Sequence, residues 1–131
     1  MLTKLAVVTI LVRDQDEALA FYTEKLGLEK MDDMTFGHDR WLTVTAPRQK
    51  DVQIFLQKAD TFGVNLMDAV GKAPAWAFNT DDCRADYKAL KARGVKFVSE
   101  PKEQPWGIEA TFEDLYGNKF SIVEEPAAVG A

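Results

Sequence analysis

The chain has 131 residues, of which 47% are hydrophobic and 28% charged, and its 16 Lys plus Arg against 21 Asp plus Glu leave a net charge of −5. That is enough for one ordinary globular domain, and the acidic balance excludes a nucleic-acid partner, because phosphate binding is driven by clustered cations. A single cysteine, Cys83, rules out an intramolecular disulfide and points to a reducing, cytoplasmic compartment.

Leu5 to Val12 is apolar and β-branched and reads as a buried strand. The run is too short to cross a bilayer and enters Arg13 and Asp14 without a signal-peptide cleavage pattern, so a soluble protein with no membrane partner is expected. Asp14, Asp16 and Glu17 form the cap and acidic first turn of a helix, which unpaired amides and the helix dipole both favour. Ala18, Phe21, Tyr22 and Leu26 give that helix its apolar face, and Gly27 stops it. Three strands follow, over 28–36, 40–46 and 51–58, separated by turns at Gly37-His38-Asp39 and Pro47-Arg48-Gln49.

After a polar stretch at 59–73 the same order returns. Ala75 to Thr80 reads as a strand, Asp81-Asp82 as a cap, and Ala85 to Gly94 as a helix and its stop. Strands are then expected over 95–100, 107–113 and 119–125, with Asp114 to Asn118 as a turn in which Gly117 and Asn118 suit positive φ. The halves align at an offset of 67 or 68, placing Ala18 on Ala85, Gly27 on Gly94 and Leu28 on Val95. Two copies of a βαβββ unit are therefore expected in one α+β domain: module one about 3–58, a linker about 59–73, module two about 74–125, and a frayed tail at 126–131.

The segments Val12-Arg-Asp14, Ala20-Phe-Tyr22, Leu26-Gly27-Leu28, Pro105-Trp-Gly107 and Phe112-x-Asp114-Leu-Tyr-Gly117-Asn118 resemble the vicinal oxygen chelate superfamily. That group includes glyoxalase I, extradiol dioxygenases and the bleomycin- and fosfomycin-resistance proteins. The resemblance covers about residues 3–125 and implies a curved, half-open barrel built from the two modules, with helices on the convex side, and a homodimer. It does not fix an activity, since the scaffold hosts many chemistries.

Strand alternation then divides core from cavity. Val8, Ile10, Val12, Leu42, Val44, Ile54, Leu56, Trp76, Phe78, Ile108, Ala110, Phe112, Phe120 and Ile122 are expected beneath the helices. The other parity, including Val7, Trp41, Thr43, Gln53, Phe55, Ala75, Glu109, Thr111 and Ser121, is expected to line the hollow. The resemblance places metal ligands of the metal-dependent members at four inner positions, two on first strands and two on last. Here these positions read Val7, Gln53 (Phe55 if the register shifts), Ala75 and Ser121. Val and Ala have no lone pair, and Gln and Ser offer only neutral oxygens, poor partners for Zn²⁺, Ni²⁺ or Fe²⁺. No metal and no cofactor is expected.

Of the single residues, His38 reads as a turn residue, Cys83 as a plain helix residue although a helix dipole can lower a thiol pKa, and Asp14/Asp16 and Asp81/Asp82 as caps. Glu109 is the candidate base or cation holder. Trp41 and Trp106 offer flat faces for stacking on aromatics or cations. The leading expectation is a metal-free protein that sequesters an aromatic or cationic small molecule through Trp41, Thr43, Gln53, Phe55, Trp106, Glu109 and Ser121. The alternatives are an enzyme of the same scaffold, lyase, isomerase or dioxygenase-like, with Glu109 as base or an unrecognised metal, and a dimeric interaction module.

Overall fold

The structure, a computed structural model, describes residues 1–73 and 75–126. Of the tail expected at 126–131, only Pro126 falls within them; 127–131, and Pro74 at the expected start of module two, lie outside. The chain forms two compact units, Met1–Lys72 and Ala73–Ala131.

The first unit runs β1 (Val7–Val12), α1 (Gln15–Ala20), a π-helical turn (Phe21–Lys25), β2 (Glu29–Phe36), β3 (Asp39–Ala46) and β4 (Gln49–Lys58). The sheet order is β1-β4-β3-β2, with β1 parallel to β4 and the other pairs antiparallel. The second unit repeats this with β5 (Trp76–Asn79), α2 (Cys83–Ala92), β6 (Lys96–Gln104), β7 (Gly107–Glu113) and β8 (Lys119–Glu124), in the order β5-β8-β7-β6. Each unit is thus βαβββ around an open sheet, as the duplication predicts.

The caps form where expected. The Asp14 carboxylate accepts the Glu17 N–H at 2.9 Å, and the Asp82 carboxylate accepts that of Ala85 at 3.0 Å. Gly27 and Gly94 close the helices at φ 76° and 90°. The wavering offset has a physical cause. Asp82 lies 68 residues after Asp14, whereas Gly94 lies 67 after Gly27. The extra residue in the first helix is absorbed by the π-turn, in which Leu26 N–H reaches back to the Phe21 carbonyl. The same insertion makes Leu28 N–H close on Tyr22 where Val95 closes on Leu90.

Beneath α1, Ala18, Phe21 and Tyr22 bury against a sheet face carrying Ile10, Val12, Leu42, Val44, Ile54 and Leu56, all buried. In the second unit Cys83 and Leu90 play the helix part over Ala110, Phe112, Phe120 and Ile122. The predicted core parity holds at these positions. Val8, Phe78 and Ile108 are half-buried, and Phe78 stacks on Phe120 at 5.6 Å. Trp76 departs from it and is 43% exposed. It lies on β5, the short edge strand, whereas α2 packs chiefly across β6, β7 and β8. Ala85 is likewise exposed, so the buried Ala18 has no buried counterpart there.

Other departures are local. β6 continues past Glu100 through Pro101 to Gln104, which an edge strand with bulges tolerates because the missing N–H faces no partner. In the last turn only Gly117 takes positive φ. Asn118 is instead tied to Asp114: its backbone N–H and amide donate to the two carboxylate oxygens at 2.9 and 2.8 Å.

Arg40 joins helix to sheet, donating to both Asp33 oxygens at 2.9 Å and to Asp16 at 2.7 Å. These bonds hold the Asp33 carboxyl below its ordinary value. A depressed carboxyl contributes stability that is present above the unfolded-state pKa and lost as pH falls through the folded one. Arg40→Gln is expected to return Asp33 to the ordinary carboxylate range by NMR titration. It should also remove roughly 0.5–1 kcal/mol of stability at neutral pH, a loss that shrinks as pH falls below about 4 and disappears only beneath the lowered pKa of Asp33.

Candidate functional site

On the face of the first sheet turned away from α1, the sequence-predicted residues Trp41, Thr43, Gln53 and Phe55 are brought together. β3 and β4 pair Thr43 with Phe55, and each of these residues alternates with a buried core residue. Trp41 and Phe55 lie ring to ring, 4.5 Å between centroids and tilted by 34°. Thr43 Oγ1 donates to Gln53 Oε1 at 2.7 Å and accepts the backbone N–H of Asp32 at 3.0 Å. The indole N–H of Trp41 donates to Asp32 Oδ2 at 3.2 Å. The Asp32 carboxylate thus fixes the indole of the pair, and the Thr43 hydroxyl ties the Asp32 backbone to the Gln53 amide.

Two members of this cluster went unread in the sequence. Asp32 falls within an expected strand and carries no local signal, yet its carboxylate fixes the Trp41 ring. Phe62 sits in the stretch taken as a linker and packs edge-on against Phe55, 5.4 Å between centroids at 89°. It is also the one non-glycine residue among those described with positive φ, at 56°. For a bulky side chain that conformation costs about 1–2 kcal/mol. The loop enforces it: Asp39 Oδ1 accepts the Phe62 N–H at 2.9 Å, Thr61 Oγ1 donates to the Lys58 carbonyl, and Leu66 N–H closes on Ala59. Gly63 following a turn was the only sequence hint.

The second unit carries the other candidates. Glu109 and Thr111 alternate with buried Ala110 on β7, and Thr111 and Ser121 hydroxyls bond at 3.2 Å. Glu109 is half-buried, and Lys102 lies opposite it in the β6–β7 register. Trp106, in the turn before β7, is 54% exposed. His38 lies in the exposed turn predicted for it. Cys83 is fully buried, with Sγ–H directed to the Ile122 carbonyl at 3.7 Å. Burial, followed by the charges of Glu124 and Asp86, pushes its thiol up, opposite to what a helix N-terminus alone would do.

The strand registers also revise the correspondence between the modules. Phe55 pairs with Thr9 and Thr43, and Ser121 with Ala77 and Thr111. The counterpart of Ser121 is therefore Phe55 rather than Gln53, two residues away and on the same face. The four positions that the resemblance assigns to metal ligands then read Val7, Phe55 or Gln53, Ala75 and Ser121. Val, Phe and Ala have no donor, Gln53 Oε1 already accepts from Thr43, and the Ser121 hydroxyl is bonded to Thr111. Neutral oxygens alone do not fit Zn²⁺, Ni²⁺ or Fe²⁺. Among the described residues no three His, Cys, Asp or Glu side chains converge, and no helix is long and apolar enough to cross a membrane.

The profile of the Glyoxalase/Bleomycin resistance protein/Dioxygenase superfamily matches residues 4–122. The chain belongs to this family. The crystal structure of UcmS2 is similar to it at 40% identity and TM-score 0.87, covering 95% of this chain and 100% of that one. That of TnmS3, described as an antibiotic binding protein from Streptomyces sp. CB03234, shares 30% identity at TM-score 0.82, covering 95% and 98%. The uncharacterized protein YurT of Bacillus subtilis (strain 168) is 35% identical over 128 residues, 93% of this chain and 99% of its own. Family membership accounts for the two βαβββ units and for the sequence segments through which the resemblance was legible.

Proposed function

We propose that this chain binds and sequesters a flat aromatic or cationic small molecule without a metal. The observation that carries this is the Trp41–Phe55 pair at 4.5 Å, with the Asp32 carboxylate on the indole N–H. Aromatic faces supply stacking and cation attraction, a fixed carboxylate adds charge selection, and the half-buried Gln53, braced by the buried Thr43 hydroxyl, orients a polar edge. A structure 30% identical to this chain belongs to a protein described as antibiotic binding, which supports the same role here. The donor-poor residues at the family's metal positions support binding rather than metal-assisted turnover. The reading retains the homodimer implied by the family and a cytoplasmic location.

Two measurements test it. Protein purified without chelators is expected to carry far less than one equivalent of Zn, Ni, Mn or Fe by elemental analysis; a stoichiometric metal overturns the metal-free reading. Titration calorimetry with proflavine, a planar aromatic cation, is expected to show saturable binding that Asp32→Asn weakens. The same substitution should leave neutral acridine nearly unchanged. No saturable binding of either dye would refute the aromatic wall as a ligand site.

A further inference from the structure

Phe62 is exposed over 39% of its surface yet held in a left-handed conformation that its side chain disfavours. The backbone conformation does not call for a phenylalanine there, since Asn or Gly meets the same demand without strain. Its ring nevertheless extends the aromatic wall. Phe55, itself buried, contacts Trp41 at 4.5 Å and takes Phe62 edge-on at 5.4 Å, so the three rings form one aromatic cluster. The fixing contacts converge on the backbone of this loop: the Asp39 carboxylate takes the Phe62 N–H, and Gln57 donates to the Thr61 carbonyl at 3.4 Å. Strain maintained by this many contacts at an exposed ring marks a position kept for what the ring touches from outside.

We propose that Phe62 is a specificity-determining residue of the proposed binding site, lengthening its aromatic wall so that ligands of several fused rings are preferred over single-ring ones. A one-ring ligand covers Trp41, since Phe55 beneath it is buried. A ligand of three fused rings reaches Phe62 as well and gains its stacking and desolvation only there. This rests on the binding reading above, and the test keeps the two apart.

The comparison uses proflavine, with three fused rings, and phenyltrimethylammonium, with one, both cationic, against wild type and Phe62→Asn. Asn accepts the left-handed backbone, so the variant is expected to keep the wild-type fold, checked by circular dichroism and thermal melting. Calorimetry is expected to show proflavine binding weakened at least fivefold in Phe62→Asn, while phenyltrimethylammonium changes by less than twofold. Phe62→Tyr, which retains the ring, is expected to bind both as wild type does. Equal losses for the two probes, or no loss for proflavine, overturn the assignment of Phe62 while leaving the Trp41–Phe55 site standing. Failure of wild type to bind either probe overturns the underlying reading instead.

Discussion

Trp41→Ala is expected to weaken proflavine binding by roughly 30-fold, the equivalent of about 2 kcal/mol for a buried aromatic anchor. The size follows from what one substitution removes. The indole supplies the exposed stacking face, covers part of Phe55 at 4.5 Å, and holds the Asp32 carboxylate through its N–H. Its loss strips the ligand of a ring and frees the charge that was aimed beside it. Trp41→Phe separates these contributions: a ring remains, the N–H does not, and a loss of only a few-fold is expected. Because Trp41 is half-buried, Trp41→Ala should also lower stability by about 1–2 kcal/mol. Binding is therefore compared well below the melting temperature, with folding verified at the same protein concentration. An unchanged affinity for proflavine in Trp41→Ala would remove the aromatic wall from the ligand's environment and with it the sequestration role.

How much of this site is legible in the sequence depends on the range of the interactions involved. The Trp41, Thr43, Gln53 and Phe55 face follows from two-residue alternation against Leu42, Val44, Ile54 and Leu56, a local regularity that one sequence displays in full. The caps Asp14 and Asp82 and the stops Gly27 and Gly94 are local in the same sense. Asp32 and Phe62 are not. One acts through an indole 9 residues away and the other is held by a carboxylate 23 residues away, and neither spacing leaves a periodic trace. Phe62 also sits in the left-handed region, for which phenylalanine is a poor signal. Trp76 shows the opposite failure: alternation assigned it inward, but burial on a short edge strand depends on where the helix lies, which alternation does not encode. The Phe55-for-Gln53 correspondence needed the hydrogen-bond ladders themselves, since both residues share a face and a pattern of period two cannot separate them.

Gly107→Ala is expected to be the most damaging single-methyl change in the second unit. Gly107 opens β7 at φ 137°, and a Cβ there would be driven into the carbonyl oxygen of Glu124, a backbone atom of the neighbouring strand. A flexible side chain could swing aside; a ladder carbonyl on β8 cannot move without parting the strands. Backbone strain and this collision act together, so a loss of about 2–4 kcal/mol is expected, lowering the melting temperature by roughly 10 °C. Gly27→Ala isolates the strain: its φ is 76° and nothing lies within 4 Å of the added methyl. There the cost should be about 1 kcal/mol. The comparison bears on function because β7 carries Glu109 and Thr111, and its entry turn carries Trp106. Opening the end of the β7–β8 ladder should broaden the NMR signals of these residues. Equal melting temperatures for Gly107→Ala and Gly27→Ala would show that β8 yields at Glu124, and that the approach of the two backbones does not constrain the strand bearing Glu109.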